Sequence, residues 1–356
     1  MSQPVTAHET AHEITVHEML PGRVLLGRGA LREVPAQVDR LGARRVLVVA
    51  APSAKATADD LAEALGERCA AVFDQPRQHA PVEVTAAALA LGRAHDADGV
   101  VTLGGGSAVG LGKALVARTG WPHVAVPTTY AGTEVSPVLE ETTDGLDAVR
   151  RDPALVPDTV VYDPLVTLTM PRGLTLTSAL HALAHAVEAL YDADGTPVTR
   201  AYAIEAAEGI LNALPVVLDD PGDVVARERL QGAAWLAGLC QAYGRMGLHH
   251  QLAHALADAF DLPHAELHAL LLPHVMAFNL RAAPDAAARL ARVCGGSAVA
   301  EVAQLVRSHE GPTALSELGV PAAGLRTVAE AVAADPAPNP RPLDAEAVLR
   351  LLEEAW

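Results

Sequence analysis

Cysteine is scarce: the 356-residue chain has three, Cys69, Cys240 and Cys294, odd in number and far apart. That excludes a disulfide framework and a cysteine-rich zinc module, and it suits a reducing cytosol. Positive charge is also short. Lys+Arg is 26 against Asp+Glu 43, a formal net charge of -17, and no basic run occurs. A chain this acidic repels phosphate backbones and anionic lipid, so no nucleic acid and no membrane surface is expected as partner; a small-molecule substrate is. No apolar stretch reaches the roughly 18 residues that read as a membrane span. The N-terminus shows no apolar signal core, and a cytoplasmic location is expected. What is present is 50% hydrophobic and 19% charged, which is the composition of a folded globular chain. The length suits two domains at about 100–200 residues each.

Residues 1–20 read as a polar tail followed by a short strand. The tail contains His8-Glu9-Thr10-Ala11-His12, which fits the zincin pattern HExxH. That motif needs a buried helix and a third downstream ligand, so a solvated tail is the better reading. Over residues 21–165 short β-branched runs alternate with amphipathic stretches. RRVLVVAAP (44–52) reads as a buried strand, ATADDLAEALGERC (56–69) as a helix, PVEVTAAALALGRAHDA (81–97) as another, and HVAVPTTYAGTEVSP (123–137) as a strand entering a polar loop. This alternation predicts an α/β domain with a parallel sheet and right-handed crossovers. Over residues 166–356 strand-like runs vanish and helical periodicity dominates, with breaks at Pro215, Pro221, Pro263, Pro273, Pro312 and Pro321. An all-helical C-terminal domain is expected there.

Three constellations carry chemistry. Gly104-Gly105-Gly106-Ser107 lies directly after the strand-like VVTL and directly before a helix. Glycines let a backbone approach a pyrophosphate, and the helix start adds unpaired N–H groups and a positive dipole end. It is not a P-loop, because Ala114 follows Gly112-Lys113 where a magnesium-binding hydroxyl is needed. Lys113, one of only two lysines, is a candidate phosphate contact. Thr128, Thr129 and Thr133 follow the next strand, and hydroxyls at the carboxyl end of a parallel sheet suit a dinucleotide. The third constellation is histidine, 15 in all. His181 and His185 share a helical face with Glu188, and His250 and His254 form a second i,i+4 pair. His249, His264, His268 and His274 lie close by in sequence. Neutral imidazole is a good ligand for Zn²⁺ and Fe²⁺, and i,i+4 pairs can chelate one ion.

In this order the segments GGGSAVGLGKAL (104–115), VPTTYAGTEVSP (126–137), RRDPALVPDTVVYDP (150–164), ALHALAHAVEALYD (179–192) and GLHHQLAHALADAFDLPHAELHALLLPHVMAFN (247–279) resemble the iron-containing alcohol dehydrogenase superfamily. Within it they are most similar to the maleylacetate reductases, as is HAPVEVT (79–85). The resemblance implies that residues 21–165 form a dinucleotide-binding α/β domain, with an active site in the cleft between it and the helical domain, a homodimer, and NADH or NADPH as cofactor. In metal-dependent members an Asp and three His hold the ion. Here the Asp position is His181, with His185, His250 and His264 as the other implied ligands. A divalent metal, Zn or Fe, is therefore expected to be weakly held or absent. The family's histidine beside the nicotinamide falls on His254. His254 and His250 are the candidate catalytic groups, and Arg245 could hold a substrate carboxylate.

The expected function is an NAD(P)H-dependent reductase of a small carboxylate-bearing unsaturated ketone, with maleylacetate to 3-oxoadipate as the leading case. A metal-dependent alcohol or aldehyde dehydrogenase is the alternative. A dehydroquinate synthase-like lyase fits PTTYAGTEVSP and LHHQLAH less well, and a non-catalytic dinucleotide-binding protein would leave the histidines idle.

Overall fold

The protein is seen in a computed structural model that describes residues 22–143, 146–308 and 311–356. The proposed tail, its HExxH pattern and the strand within residues 1–20 lie outside the described residues. The first half runs β1 (Arg23–Leu26), α1 (Val34–Arg40), β2 (Val46–Ala50), α2 (Lys55–Leu65), β3 (Cys69–Phe73), α3 (Val82–Ala94), β4 (Gly99–Gly104), α4 (Gly106–Thr119), β5 (His123–Pro127), β6 (Val138–Thr143), β7 (Leu146–Arg151) and β8 (Thr159–Tyr162).

β2 shows why these runs become central strands. All five residues are buried. Val46, Val48 and Ala50 pack with Val34, Leu61 and Leu65 on one face, whereas Leu47 and Val49 pack with Val84, Leu111 and Leu115 on the other. Helices covering both faces require an apolar residue at every position, which explains a continuous run rather than an alternating one. The six-stranded sheet has the order β1-β8-β5-β4-β2-β3 and every pairing in it is parallel. From β2 the chain moves outward to β3, and from β4 it moves the opposite way to β5. The carboxyl ends of β2 and β4 therefore flank a topological switch point, the usual place for a ligand crevice.

Two local readings need correction. The helix read over 56–69 stops at Leu65, because Gly66 takes a left-handed backbone (φ 58) and Cys69 already begins β3. Val138–Thr143 and Leu146–Arg151, unassigned in the sequence reading, pair as the antiparallel strands β6 and β7. The hairpin signal was the Asp144-Gly145 dipeptide between its strands.

The second half is helical: α5 (Arg172–Tyr191), α6 (Pro197–Asp219), α7 (Val224–Tyr243), α8 (Leu248–Phe260), α9 (His264–Asn279), α10 (Pro284–Cys294), α11 (Ala298–Arg307), α12 (Ala322–Ala334) and α13 (Ala345–Ala355). α5 is buried from Thr175 to Leu190 except at His181, so it is the central helix of this domain. Pro215 and Pro273 do not break helices as expected; they lie inside α6 and α9. Both helices have buried residues on either side of the proline, and that burial outweighs a lost hydrogen bond costing about 3 kcal/mol. α6, at 23 residues with a mean hydropathy of 1.3, is also long and apolar enough on average to cross a membrane, although Arg200, Glu205 and Glu208 interrupt its apolar run. Its Ile210, Leu214 and Val217 instead share one core with Leu180 and Leu183 of α5 and Leu230 of α7.

Candidate active site

A cleft of about 510 Å³ opens where the carboxyl edge of the sheet faces α5, α8 and α9. One wall carries Gly105, Gly106, Ser107, Thr129 and Thr133, and the other carries His181, His250, His254, His264 and His268. A second groove of about 520 Å³, between Leu26, α6 and α7, contains no histidine among its described lining residues.

Strand pairing sets the sheet-side wall. Gly104 of β4 lies opposite Pro127 of β5, and Ala50 of β2 lies opposite Leu103. The glycine turn and the threonine loop therefore leave the sheet side by side. Gly105 caps α4 and Gly106 is its first residue, so the unpaired N–H groups of a 14-residue helix face the cleft. The glycines are not equivalent. A Cβ on Gly105 would lie 2.8 Å from Thr129 Cγ2, whereas one on Gly106 would meet only Thr133 Oγ1, at 3.5 Å. Gly104 is packing: its Cβ would fall 2.8 Å from Ala108 Cβ and 2.9 Å from Ala51 Cβ. The Thr128 N–H donates to the Gly104 carbonyl (3.0 Å). Gly104 and Thr128 thus join β4 to β5 behind the cleft.

Lys113, expected on a phosphate, is committed elsewhere. It is fully buried, and its ammonium donates to the carbonyls of Thr133 (2.6 Å), Ser136 (2.6 Å) and Val138 (2.8 Å). Burial draws its pKa down to about 7, but three acceptors match the three donors of the protonated form. Buried Glu134 lies in the same loop and accepts from the Tyr162 hydroxyl at 2.7 Å. Lys113 therefore fastens the loop that presents Thr133 to the cleft.

On the helical wall, α5 and α8 meet through Glu188. Its carboxylate accepts from the Gly247 N–H (2.9 Å), the His249 N–H (2.8 Å) and His250 Nδ1 (2.6 Å). With Glu188 ionised and already taking two backbone donors, His250 carries its proton on Nδ1. That leaves the His250 Nε2 lone pair buried and without a hydrogen-bond partner. Ring centroids of His181 and His268 stack at 3.8 Å, and those of His185 and His250 at 4.8 Å. Burial, reinforced by neighbouring imidazoles, holds the pKa of His181, His185 and His268 well below the usual value. The same causes bring His249 to about 4 and His250 to about 3. The cluster is neutral at pH 7, so its lone pairs are available.

The imidazoles grouped in the structure differ from the ligand set implied by the resemblance. One nitrogen each of His181, His250 and His268 lie within 4.8 Å of one another. His268, absent from the implied set, belongs to this group; His264 lines the same cleft but lies outside the group, its ring packed on His254 at 5.3 Å and on His79 at 5.0 Å. His185 is fully buried beside the trio, its centroid 4.7 Å from that of His181. The signal for His268 was a third i,i+4 pair, with His264.

Arg245 is the other correction. It is exposed, and its guanidinium lies 3.4 Å from an Asp194 carboxylate oxygen. It does not line the cleft, and its backbone N–H donates to the buried Asp192 carboxylate (3.0 Å). Lining residues that the sequence reading missed include His79, Ser136, Glu140, Ser178 and Gln241.

Residues 21–164 match the iron-containing alcohol dehydrogenase family, and residues 175–356 match the C-terminal part of the Fe-containing alcohol dehydrogenase family. The chain belongs to the iron-containing alcohol dehydrogenase family, and it is an oxidoreductase. It is 42% identical to the maleylacetate reductase of Rhizobium sp. (strain MTP-10005), over 96% of this chain and 97% of that one. It is 41% identical to that of Burkholderia cepacia, over 94% and 95%. The crystal structure of maleylacetate reductase from Agrobacterium tumefaciens superposes with a TM-score of 0.92 at 42% identity, covering 97% of this chain and 98% of that one.

Proposed function

We propose that this protein reduces the carbon–carbon double bond of maleylacetate with NADH or NADPH, giving 3-oxoadipate. The observation that carries the reading is the all-imidazole set His181, His250 and His268; the family resemblance puts His181 where metal-dependent members carry an Asp. Similarity to maleylacetate reductases over nearly the whole chain supports the same substrate.

The glycine turn and the start of α4 would receive the pyrophosphate, and the reduced nicotinamide supplies a hydride. The substrate carbon β to the ketone accepts the hydride. The double-bond electrons then move to the ketone oxygen as an enolate, and the carbon beside the ketone takes a proton. His254, half-buried and lining the cleft, is the proton donor. His250 is not, because Glu188 fixes its proton on Nδ1; it is a positioning residue or a ligand. The Ser178 hydroxyl accepts from the Tyr130 N–H (2.8 Å), which leaves its own hydrogen for a developing oxyanion.

Orphaned, neutral nitrogens fit a nitrogen-preferring divalent ion, which His181, His250 and His268 would hold and which would act there as a Lewis acid. No carboxylate in the trio offsets the ion's charge. Protein purified without added metal should therefore carry well under one ion per chain, zinc or nickel rather than iron. Elemental analysis checks this, and His181→Asp should raise iron occupancy.

Gly106→Val should weaken NADH at least about a hundredfold, or 2.7 kcal/mol, because its branches fill the space a pyrophosphate needs. The fold should persist, since the nearest atom is Thr133 Oγ1 at 3.5 Å. Fluorescence titration of NADH with a matched circular dichroism spectrum reads both. At the tip of β2, Ala51 and Pro52 line the cleft and no acidic residue excludes a 2′-phosphate. NADH and NADPH should therefore be used within about tenfold of each other, which a comparison of kcat/KM measures.

The function is tested by following nucleotide oxidation with maleylacetate and with a panel of aldehydes, on metal-free and zinc-loaded protein. Maleylacetate should be the preferred substrate in both states. One tightly held iron per chain, with aldehydes preferred and chelation abolishing activity, contradicts the reading. The three cysteines are free thiols, which supports placing this reaction in a reducing cytosol.

A further inference from the structure

A dicarboxylate substrate needs positive or donating groups at its ends, yet the described lining of the cleft contains no arginine and no lysine. Lys113 is tied to carbonyls and Arg245 faces outward. What the mouth does contain is a pair of imidazoles from opposite domains. His79, between β3 and α3, meets His264, the first residue of α9, edge to face at 5.0 Å. His79 and Ala80 both take left-handed backbone conformations, with φ 53 and φ 34, and neither is glycine. Such conformations are costly for L residues and persist where the surroundings enforce them, typically at functional sites. Here the enforcement is visible: the His79 carbonyl accepts from the Thr142 N–H at 2.8 Å, and the Ala80 carbonyl accepts from the Thr85 hydroxyl. The hairpin and α3 thus hold a strained turn whose product is the aim of the His79 ring into the cleft. His79 Nε2 lies 3.4 Å from the Gln78 amide nitrogen and 3.6 Å from a Glu140 carboxylate oxygen. The first turn of α9, with Ala265 and Glu266 also in the lining, adds N–H groups that no helical carbonyl takes.

We propose that His79 and His264 grip one substrate carboxylate across the cleft at the start of α9, and that this grip, in place of an arginine, sets the preference for carboxylate-bearing substrates. The proposal rests on the reading of the substrate given above.

His79→Asn and His264→Gln test it; asparagine tolerates left-handed backbone, so the turn can survive. Each variant should raise KM for maleylacetate at least about tenfold and change kcat by less than about threefold. NADH affinity and metal content should stay at the wild-type values, which a loss of fold or of a metal ligand would not allow. The two half-methyl esters locate the contact. With the ester that masks the gripped carboxylate, wild type and variants should have the same KM; with the other, the difference should persist. Calorimetric binding of succinate to the NADH complex is a readout independent of turnover, and both variants should weaken it about tenfold. Unchanged KM and unchanged succinate binding in both variants overturn the grip. A wild type that binds succinate through these histidines but does not reduce maleylacetate overturns only the assigned reaction.

Discussion

Lowering the pH from 7 to 5 is expected to unfold the metal-free protein. Six histidines, His123, His181, His185, His249, His250 and His268, are held neutral by burial. In the unfolded chain each titrates near about 6.5. Below that pH the unfolded state binds more protons than the native one, so stability falls as pH falls. The native values of about 3 for His123 and His250 and about 4 for His249 put the lower edge of the window between pH 4 and 3. Each histidine contributes up to about 1.4 kcal/mol per pH unit, so six act with a slope near 8 kcal/mol per unit, comparable to a typical total stability of about 5–15 kcal/mol. Buried Glu134 and Glu188 have raised pKa values and oppose this, two groups against six. Urea unfolding after chelation, repeated between pH 7.5 and 4.5, should show the midpoint collapsing between pH 6 and 5. A flat midpoint would mean that the imidazoles take up protons in the native state and that the cluster is wet.

Lys113→Met is expected to destabilise the protein by about 3–5 kcal/mol, the usual cost of breaking a buried charge network. The variant leaves the carbonyls of Thr133, Ser136 and Val138 without their donor and removes the cation nearest buried Glu134. Arginine should not rescue, because a guanidinium is too large for a fully enclosed site. Because the loop carries Thr133, NADH affinity should fall along with the urea midpoint. A lysine that bound phosphate instead would give the opposite split: weak NADH and unchanged stability.

What the sequence made legible was local. Val46–Ala50 declares a two-sided strand by its own composition, and Gly104–Ser107 declares a turn between strand and helix by its neighbours. His181-x3-His185 and His250-x3-His254 announce faces because helical spacing is a local rule. The misses are matters of partnership over distance. Lys113 finds its acceptors 20, 23 and 25 residues away, after the chain has crossed to β5 and beyond. Arg245 meets its partners, Asp192 and Asp194, 53 and 51 residues earlier in the chain. Whether His264 or His268 joins His181 depends on how α9 is rotated against α5, and a spacing of four leaves both on the same face. The β6–β7 pair escaped because its strands are polar and half-exposed, with no apolar alternation to mark them.

The central claim, that the substrate is reduced at its double bond and not at its ketone, is tested most directly by the position of a label. Maleylacetate turned over with NADH carrying deuterium in the transferred position should give 3-oxoadipate with an intact ketone and deuterium on the carbon β to it, seen by carbon-13 and deuterium NMR. Deuterium on a newly formed carbinol carbon would contradict the account and make the protein a carbonyl-reducing alcohol dehydrogenase.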